Sequence, residues 1–239
     1  MNNNHQRDMK IMPSGCDRNA ELKLSALMDI FMDSAMLHAE EINVGISVFW
    51  PKKLFWVATK QKIRFKRPVK LAEIVKITTW PEEPGNYKTV RYYEMTQGEE
   101  VVAEGKTEWI VVNTDEFKPL KVKEVFPELD FYEKKGMADN FERIKDEGFE
   151  EEAGRYTVRR IDIDYGKHMN NVAYIRALEG IFTTEEWESY NFKELEIQYK
   201  ESTYEGNEIT FMKRFSDDKM IIKGMNQSGE VCVYAILGK

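Results

Sequence analysis

LSALMDIFMDSAMLHAEEINVG, residues 24–45, is the stretch on which the fold turns. Leu24, Leu27, Met28, Phe31, Ala35 and Ala39 recur at spacings of three and four, the period of an α-helix, and Gly45 offers a stop. Ile30, Met32 and Met36 extend the apolar surface around most of the circumference, so other elements are expected to enclose this helix. A sheet curved around it would suffice. The residues that follow supply one: Phe55 to Arg67, Ile74 to Trp80, Lys88 to Met95 and Val101 to Val112 read as strands, with turn signals at Pro84-Gly85-Asn86 and Gln97-Gly98. Consecutive hairpins make the sheet antiparallel.

The second half repeats this order. Ile63, Phe65, Val75 and Ile77 are matched 134 positions later by Ile197, Tyr199, Ile209 and Phe211, in the same alternating phase. Near the end, QGEEVVA at 97–103 is similar to QSGEVCV at 227–233. The expected organisation is therefore a first module over residues 1–125, a linker over 126–154 and a second module over 155–239. Pro119, Pro127 and the acidic run Glu147 to Glu152, with only scattered apolar residues around them, mark a linker with room for one short helix.

Composition narrows the function classes. Thirty-five basic against 42 acidic residues give a net charge of -7, which argues against a general nucleic-acid binder, since a polyanion needs a basic face. No run approaches the roughly 18 apolar residues of a membrane span, and the opening MNNNHQRDMK lacks the apolar centre of a signal peptide, so a cytoplasmic protein is expected. Cys16 and Cys232 lie far apart without metal-ligand spacing, so neither a disulfide nor a metal site is expected.

The chemistry gathers where the second module begins, in RRIDIDYGKHMNNVAYI, residues 159–175. A strand ends, a glycine turn follows at Gly166, and a helix starts near Asn170, a suitable cap, with Asn171 next. Its unpaired N–H groups would stabilise an oxyanion, and Asp164 and His168 are close enough to meet at the turn. The competing reading has both aspartates making Asx-turns and the histidine a structural hydrogen bond. Further on, Leu195, Ile197 and Tyr199 alternate toward the helix, and Glu201 continues that phase, so an inward carboxylate is expected unless the strand frays first. The corresponding position in the first copy is Arg67, which leaves the acidic site to the second.

Taken together these residues resemble the acyl-ACP thioesterases of plastids and their bacterial relatives. The likeness runs through Phe31 to Gly45, Trp56-Val57-Ala58-Thr59-Lys60, Thr79-Trp80 and His168-Met169-Asn170-Asn171-Val172. It implies an α+β tandem hot-dog fold, each module a long helix wrapped by an antiparallel sheet. It further implies acyl-chain binding in the first module, with Met28, Phe31, Met32 and Trp56 as candidate pocket residues, and catalysis in the second. The family's catalytic Asp, His and Glu fall on Asp164, His168 and Glu201, whereas its catalytic Asn falls on Gly166. The implied reaction is hydrolysis of fatty acyl-acyl carrier protein without cofactor or metal. The shorter Asp-x-Gly-x-His pattern is also similar to single hot-dog acyl-CoA thioesterases, and a non-catalytic acyl-binding relative stays open, as do a monomer and a homodimer. Because acyl carrier proteins are acidic, Lys60, Lys62, Arg64 and Lys66, alternating along one strand with Ile63 and Phe65 opposite, are expected to form an outward docking stripe. The other reading is a plain solvated strand face.

Overall fold

The apolar spacing of residues 24–39 becomes helix α1 (Leu24–Glu41), whose buried side consists of Leu24, Leu27, Met28, Phe31, Ala35 and His38 with two serines. Enclosure is one-sided: Met36 and Leu37 stay 50% and 40% exposed, which corrects the expectation of a helix covered all round. The stop also differs. Asn43, at φ 58°, takes the left-handed conformation that ends the helix, and Gly45 instead opens the one-turn helix α2 (Ile46–Phe49).

The computed structural model describes residues 3–116, 118–126, 128 and 131–239 and divides into two units, Met1–Asp139 and Asn140–Lys239. The first unit lays α1 on strands β1 (His5–Lys10), β2 (Leu54–Phe65), β3 (Ile74–Pro81), β4 (Thr89–Gln97) and β5 (Glu100–Asn113). These are hydrogen-bonded in the order β1-β3-β4-β5-β2, every pair antiparallel, with the short β6 (Pro119–Leu120) on the far end of β5. The helix comes close: Phe31 stacks on Tyr93 of β4 at 4.9 Å. At Gly105 of β5 a Cβ would sit 3.1 Å from the Phe31 ring and 2.9 Å from the Lys62 carbonyl, so only glycine fits beneath the ring.

The second unit repeats the plan with β7 (Glu151–Thr157), α4 (Asn171–Gly180), α5 (Thr184–Tyr190), β8 (Glu194–Tyr199), β9 (Glu208–Ser216), β10 (Lys219–Met225) and β11 (Val231–Gly238). Its order is β7-β9-β10-β11-β8, the first unit's order strand for strand. The matched pairs occupy equivalent places: Ile63 and Ile197 are both fully buried, as are Ile77 and Phe211. Each unit is a hot-dog module.

After β6 the chain forms the short helix α3 (Val122–Val125), and residues 131–150 have no regular structure. Pro127 lies outside the described residues. The second module starts earlier than 155, because β7 takes in Glu151 and Glu152 of the acidic run. Charge did not prevent pairing there, since β7 bonds along a single edge and both glutamates face solvent.

His38, on the buried side of α1, is held neutral by burial, then by the neighbouring Arg91 and His5, so its pKa drops from 6.5 to about 3. An unfolded chain protonates this histidine below 6.5 while the folded one resists until about 3, so stability should fall as pH falls through that window. The slope is at most about 1.4 kcal/mol per pH unit. Urea melts at pH 7 and pH 5 should show the loss in the native protein and a smaller one in His38→Gln; equal losses would mean that His38 is not its source.

Candidate functional site

Beyond β7 a 3-10 turn at Arg160–Asp162 redirects the chain. Asp162 is its structural acid: buried, it accepts from the Arg159 N–H and the Tyr156 hydroxyl, both at 2.8 Å. Asp164 organises the next turn. Its Oδ1 accepts from the Gly166 N–H at 2.7 Å and its Oδ2 from the Asn170 amide at 3.1 Å. Lys167, at φ 64°, reverses the chain, and the Asp164 N–H reaches back to the His168 carbonyl at 3.2 Å. Asp164 thus makes the Asx-turn of the competing reading and holds the cap residue as well.

Asn170 is the N-cap of α4, its Oδ1 accepting from the Val172 N–H at 2.8 Å. The Asn171 N–H, in the first turn, has no intrahelical partner and is directed out of the positive end of the helix. His168 stands two residues before the cap, with Nδ1 3.3 Å from the Met169 carbonyl. A proton on Nδ1 leaves Nε2 as the acceptor. Nε2 lies over Gly166: a Cβ there would sit 3.0 Å from it and 2.9 Å from Asp164 Oδ1. The absence of a side chain at 166 therefore keeps the space beside the imidazole.

Glu201 is not inward. Strand β8 ends at Tyr199, and Glu201 is exposed, so the fraying reading is the correct one and the inward carboxylate is corrected. It remains tied to the site through the backbone. Two residues on, the Thr203 carbonyl accepts from the Met169 N–H at 2.8 Å, and the buried Thr203 hydroxyl bonds to Tyr174 of α4 at 2.7 Å. The Thr203–Tyr174 pair escaped sequence reasoning, because nothing local sets either residue apart. Cys232 is no nucleophile: burial, with the Glu201 charge as a smaller contribution, raises its thiol to about 11.

In the first unit, Met28 and Phe31 are fully buried, and Met32, partly buried, has its sulfur 3.1 Å from the Gln61 amide. Trp56 packs on Phe49 at 5.5 Å and donates to the Val44 carbonyl at 2.8 Å within a secondary core of Val44, Phe49, Leu54, Val111, Val122 and Phe126. The basic stripe faces outward only in part: Lys66 is exposed and Lys60 and Arg64 are half-buried, but Lys62 is buried. Lys62 is 3% exposed with its ammonium 3.8 Å from Asp139, Arg64 pairs with Asp139 and Glu104, and Lys66 lies 3.0 Å from Glu104. Lys60 lies near enough to Glu108 to lower its pKa. Acids on β5 and at Asp139 offset the stripe, which alternation within β2 cannot reveal. Among the described residues no group of three His, Cys, Asp or Glu side chains is placed to hold a metal, and no helix is long and apolar enough to cross a membrane.

Two hot-dog modules, one bearing a histidine turn at a capped helix N-terminus, define the class as hot-dog thioesterase-like. Residues 2–129 match the sequence model of the acyl-ACP thioesterase N-terminal domain and residues 145–236 that of the C-terminal domain; the chain belongs to the acyl-ACP thioesterase family. It is 28% identical over 136 residues to a chloroplastic oleoyl-acyl carrier protein thioesterase of Coriandrum sativum, covering 51% of this chain and 37% of that one. To the chloroplastic acyl-[acyl-carrier-protein] hydrolase FATB3 of Cuphea viscosissima it is 25% identical over 204 residues, 78% of this chain and 48% of that one. The chain thus spans less than half the length of these curated relatives. Among solved structures it is similar to an acyl-ACP thioesterase from Bacteroides thetaiotaomicron (TM-score 0.86, 19% identity, 98% of this chain and 97% of that one). It is also similar to the 12:0-ACP thioesterase from Umbellularia californica (TM-score 0.82, 14% identity, 100% and 97%).

The cap is testable apart from any reaction. Asn170→Ala removes the acceptor of the Val172 N–H and a donor to Asp164, and should cost about 1 kcal/mol or somewhat more of unfolding free energy in denaturant titration. An unchanged midpoint would contradict the role given to this side chain.

Proposed function

We propose that the protein hydrolyses the thioester of fatty acyl-acyl carrier protein to a free fatty acid and the carrier thiol, in the cytoplasm. The observation that carries this reading is a histidine on a carboxylate-pinned turn, immediately before a capped helix N-terminus, in a chain matched along both halves by the thioesterase family.

The reaction follows from what those groups can do. A water molecule attacks the thioester carbonyl carbon while His168 Nε2 accepts its proton. The negative charge that develops on the carbonyl oxygen is met by the Asn171 N–H and the positive end of α4. Collapse breaks the C–S bond, the electron pair leaves with sulfur, and the imidazolium returns the proton to give the thiol. Asp164 positions the turn, its two oxygens holding the Gly166 N–H and the Asn170 amide. Glu201, two residues before the Thr203 carbonyl that bonds the Met169 N–H, would act from the solvent side as an orienting or proton-relaying carboxylate. In the first unit Met28, Phe31, Met32 and Trp56 belong to the apolar side that receives the acyl chain. Carrier docking narrows to Lys60 and Lys66, which would exchange their contacts with Glu108 and Glu104 for the carrier's acids.

Release of free thiol from acyl-ACP is the deciding assay. His168→Ala and Glu201→Ala should each lower turnover at least about tenfold without altering the melting temperature, as general acid-base participants do. Full activity in His168→Ala would remove the histidine from the mechanism. Cleavage of acyl-CoA at the same rate as acyl-ACP would move the substrate class to CoA thioesters.

Gly166→Asn separates two explanations of the missing asparagine. Gly166 is not at positive φ, so its backbone tolerates a side chain, but the new Cβ enters the space beside His168 Nε2. The variant should fold, displace the imidazole and lose activity; a gain would mean that the site merely lacks the amide.

A further inference from the structure

The inward face of the first unit's sheet carries a polar cluster that the proposed reaction does not use. Arg91 of β4 is 6% exposed, and its guanidinium reaches His38 Nδ1 at 2.9 Å and Thr79 Oγ1 at 3.3 Å. Among the described residues no carboxylate pairs with it. Across the β4–β5 ladder Arg91 lies opposite Thr107, Tyr93 opposite Gly105 and Thr89 opposite Trp109, which puts Arg91, Tyr93, Thr107 and Trp109 on one face. That face is the one α1 covers, since Phe31 stacks on Tyr93 and its ring abuts Gly105.

The balance of donors and acceptors here is lopsided. Tyr93 Oη, Thr107 Oγ1 and Trp109 Nε1 are buried, each without a hydrogen-bond partner among the described residues. Burial raises the Tyr93 phenol, and the Arg91 charge and the approach of the Thr107 hydroxyl and Trp109 indole to the phenol oxygen oppose that rise, so these three groups meet one another only in marginal hydrogen-bond geometry. Burial likewise lowers Arg91 to about 10. A buried cation without a counter-charge, beside hydroxyl and indole groups that bond one another poorly, is a costly arrangement for an apolar core and a suitable one for an oxygen-bearing ligand.

We propose that this cluster is a binding site for a hydrogen-bond-accepting oxygen group, a carboxylate before a hydroxyl, carried on the acyl chain away from the thioester. The inference rests on the acyl-thioesterase reading for the identity of the chain, and its chemistry follows from the site. Phe31, stacked on Tyr93, sets an apolar ring beside the cluster, which supplies the polar end. A carboxylate would neutralise Arg91 and take up the Tyr93 hydroxyl; a hydroxyl would do the second without the first.

The test uses esters, which are not thioesters, so that binding is read without turnover. Three methyl esters of equal chain length, ending in a methyl group, a hydroxyl or a carboxylate, are titrated calorimetrically into the full chain and into Arg91→Met and Tyr93→Phe. The native protein should bind the carboxylate-ended ester at least about tenfold more tightly than the plain one, with the hydroxyl between them. Arg91→Met should abolish the carboxylate preference and Tyr93→Phe should reduce both; Tyr93→Phe also covers the case in which Arg91→Met does not fold. Equal affinity for the three ends, or a preference that survives both variants, overturns the proposal and makes the cluster a buried-water site. If the binding order holds while no acyl thioester is cleaved, the polar site stands and the proposed function falls.

Discussion

A helix laid on a sheet has fixed ends, and in the second unit that constraint decides which segments meet at the N-terminus of α4. Val172, Ala173, Ile175, Ala177 and Leu178 of α4 are buried, and at about 1.5–3 kcal/mol for each large side chain they hold the helix in place. Its N-terminus must then meet the chain arriving from β7, and the Asp164 turn makes that junction. The loop after β8 is attached to the same place through Thr203. Two segments distant in sequence are thus brought to one helix end by backbone bonds, before any catalytic group is considered.

The first unit makes the same turn without the histidine or the capping asparagine. Asp17 Oδ1 accepts from the Asn19 and Glu21 N–H groups at 2.9 Å, Ala20 has φ 59°, and Cys16 bridges Leu22 as Ile163 bridges Met169. Where the second unit has His168 and a capping Asn170, the first has Glu21 and Lys23, and Lys23 makes no side-chain cap bond. An aspartate at this turn is therefore a structural requirement of the module, and the histidine and cap distinguish the second copy. Asn19 occupies the place of Gly166, so the turn itself accepts an asparagine. At 166 a side chain would crowd the imidazole, its Cβ 3.0 Å from His168 Nε2, so an asparagine there requires the histidine to shift.

Much of this was legible in the sequence because it is local. Strands β2 to β5, the repeat and the Asn170 cap all follow from alternation, turn residues and capping chemistry within a few positions. The features that escaped depend on partners far along the chain. Strand β1 is a polar edge strand with one side exposed, which leaves almost no apolar signal. Lys62 and Arg64 look like a solvated face until Asp139 is set against them. Glu201 was placed by extending a period two residues beyond the end of its strand. The tandem hot-dog architecture itself came from the family resemblance, and the common strand order of the two units bears it out.

The central claim is that the N-terminus of α4 receives the reacting carbonyl. The most direct measurement is a crystal structure of the protein with an acyl group joined to the carrier's phosphopantetheine arm through a ketone, in which methylene replaces the thioester sulfur. The ketone oxygen should lie within hydrogen-bonding distance of the Asn171 N–H, with His168 Nε2 facing the carbonyl carbon across room for one water. An analogue ordered in the protein with its carbonyl away from the Asp164–Asn171 turn would contradict it.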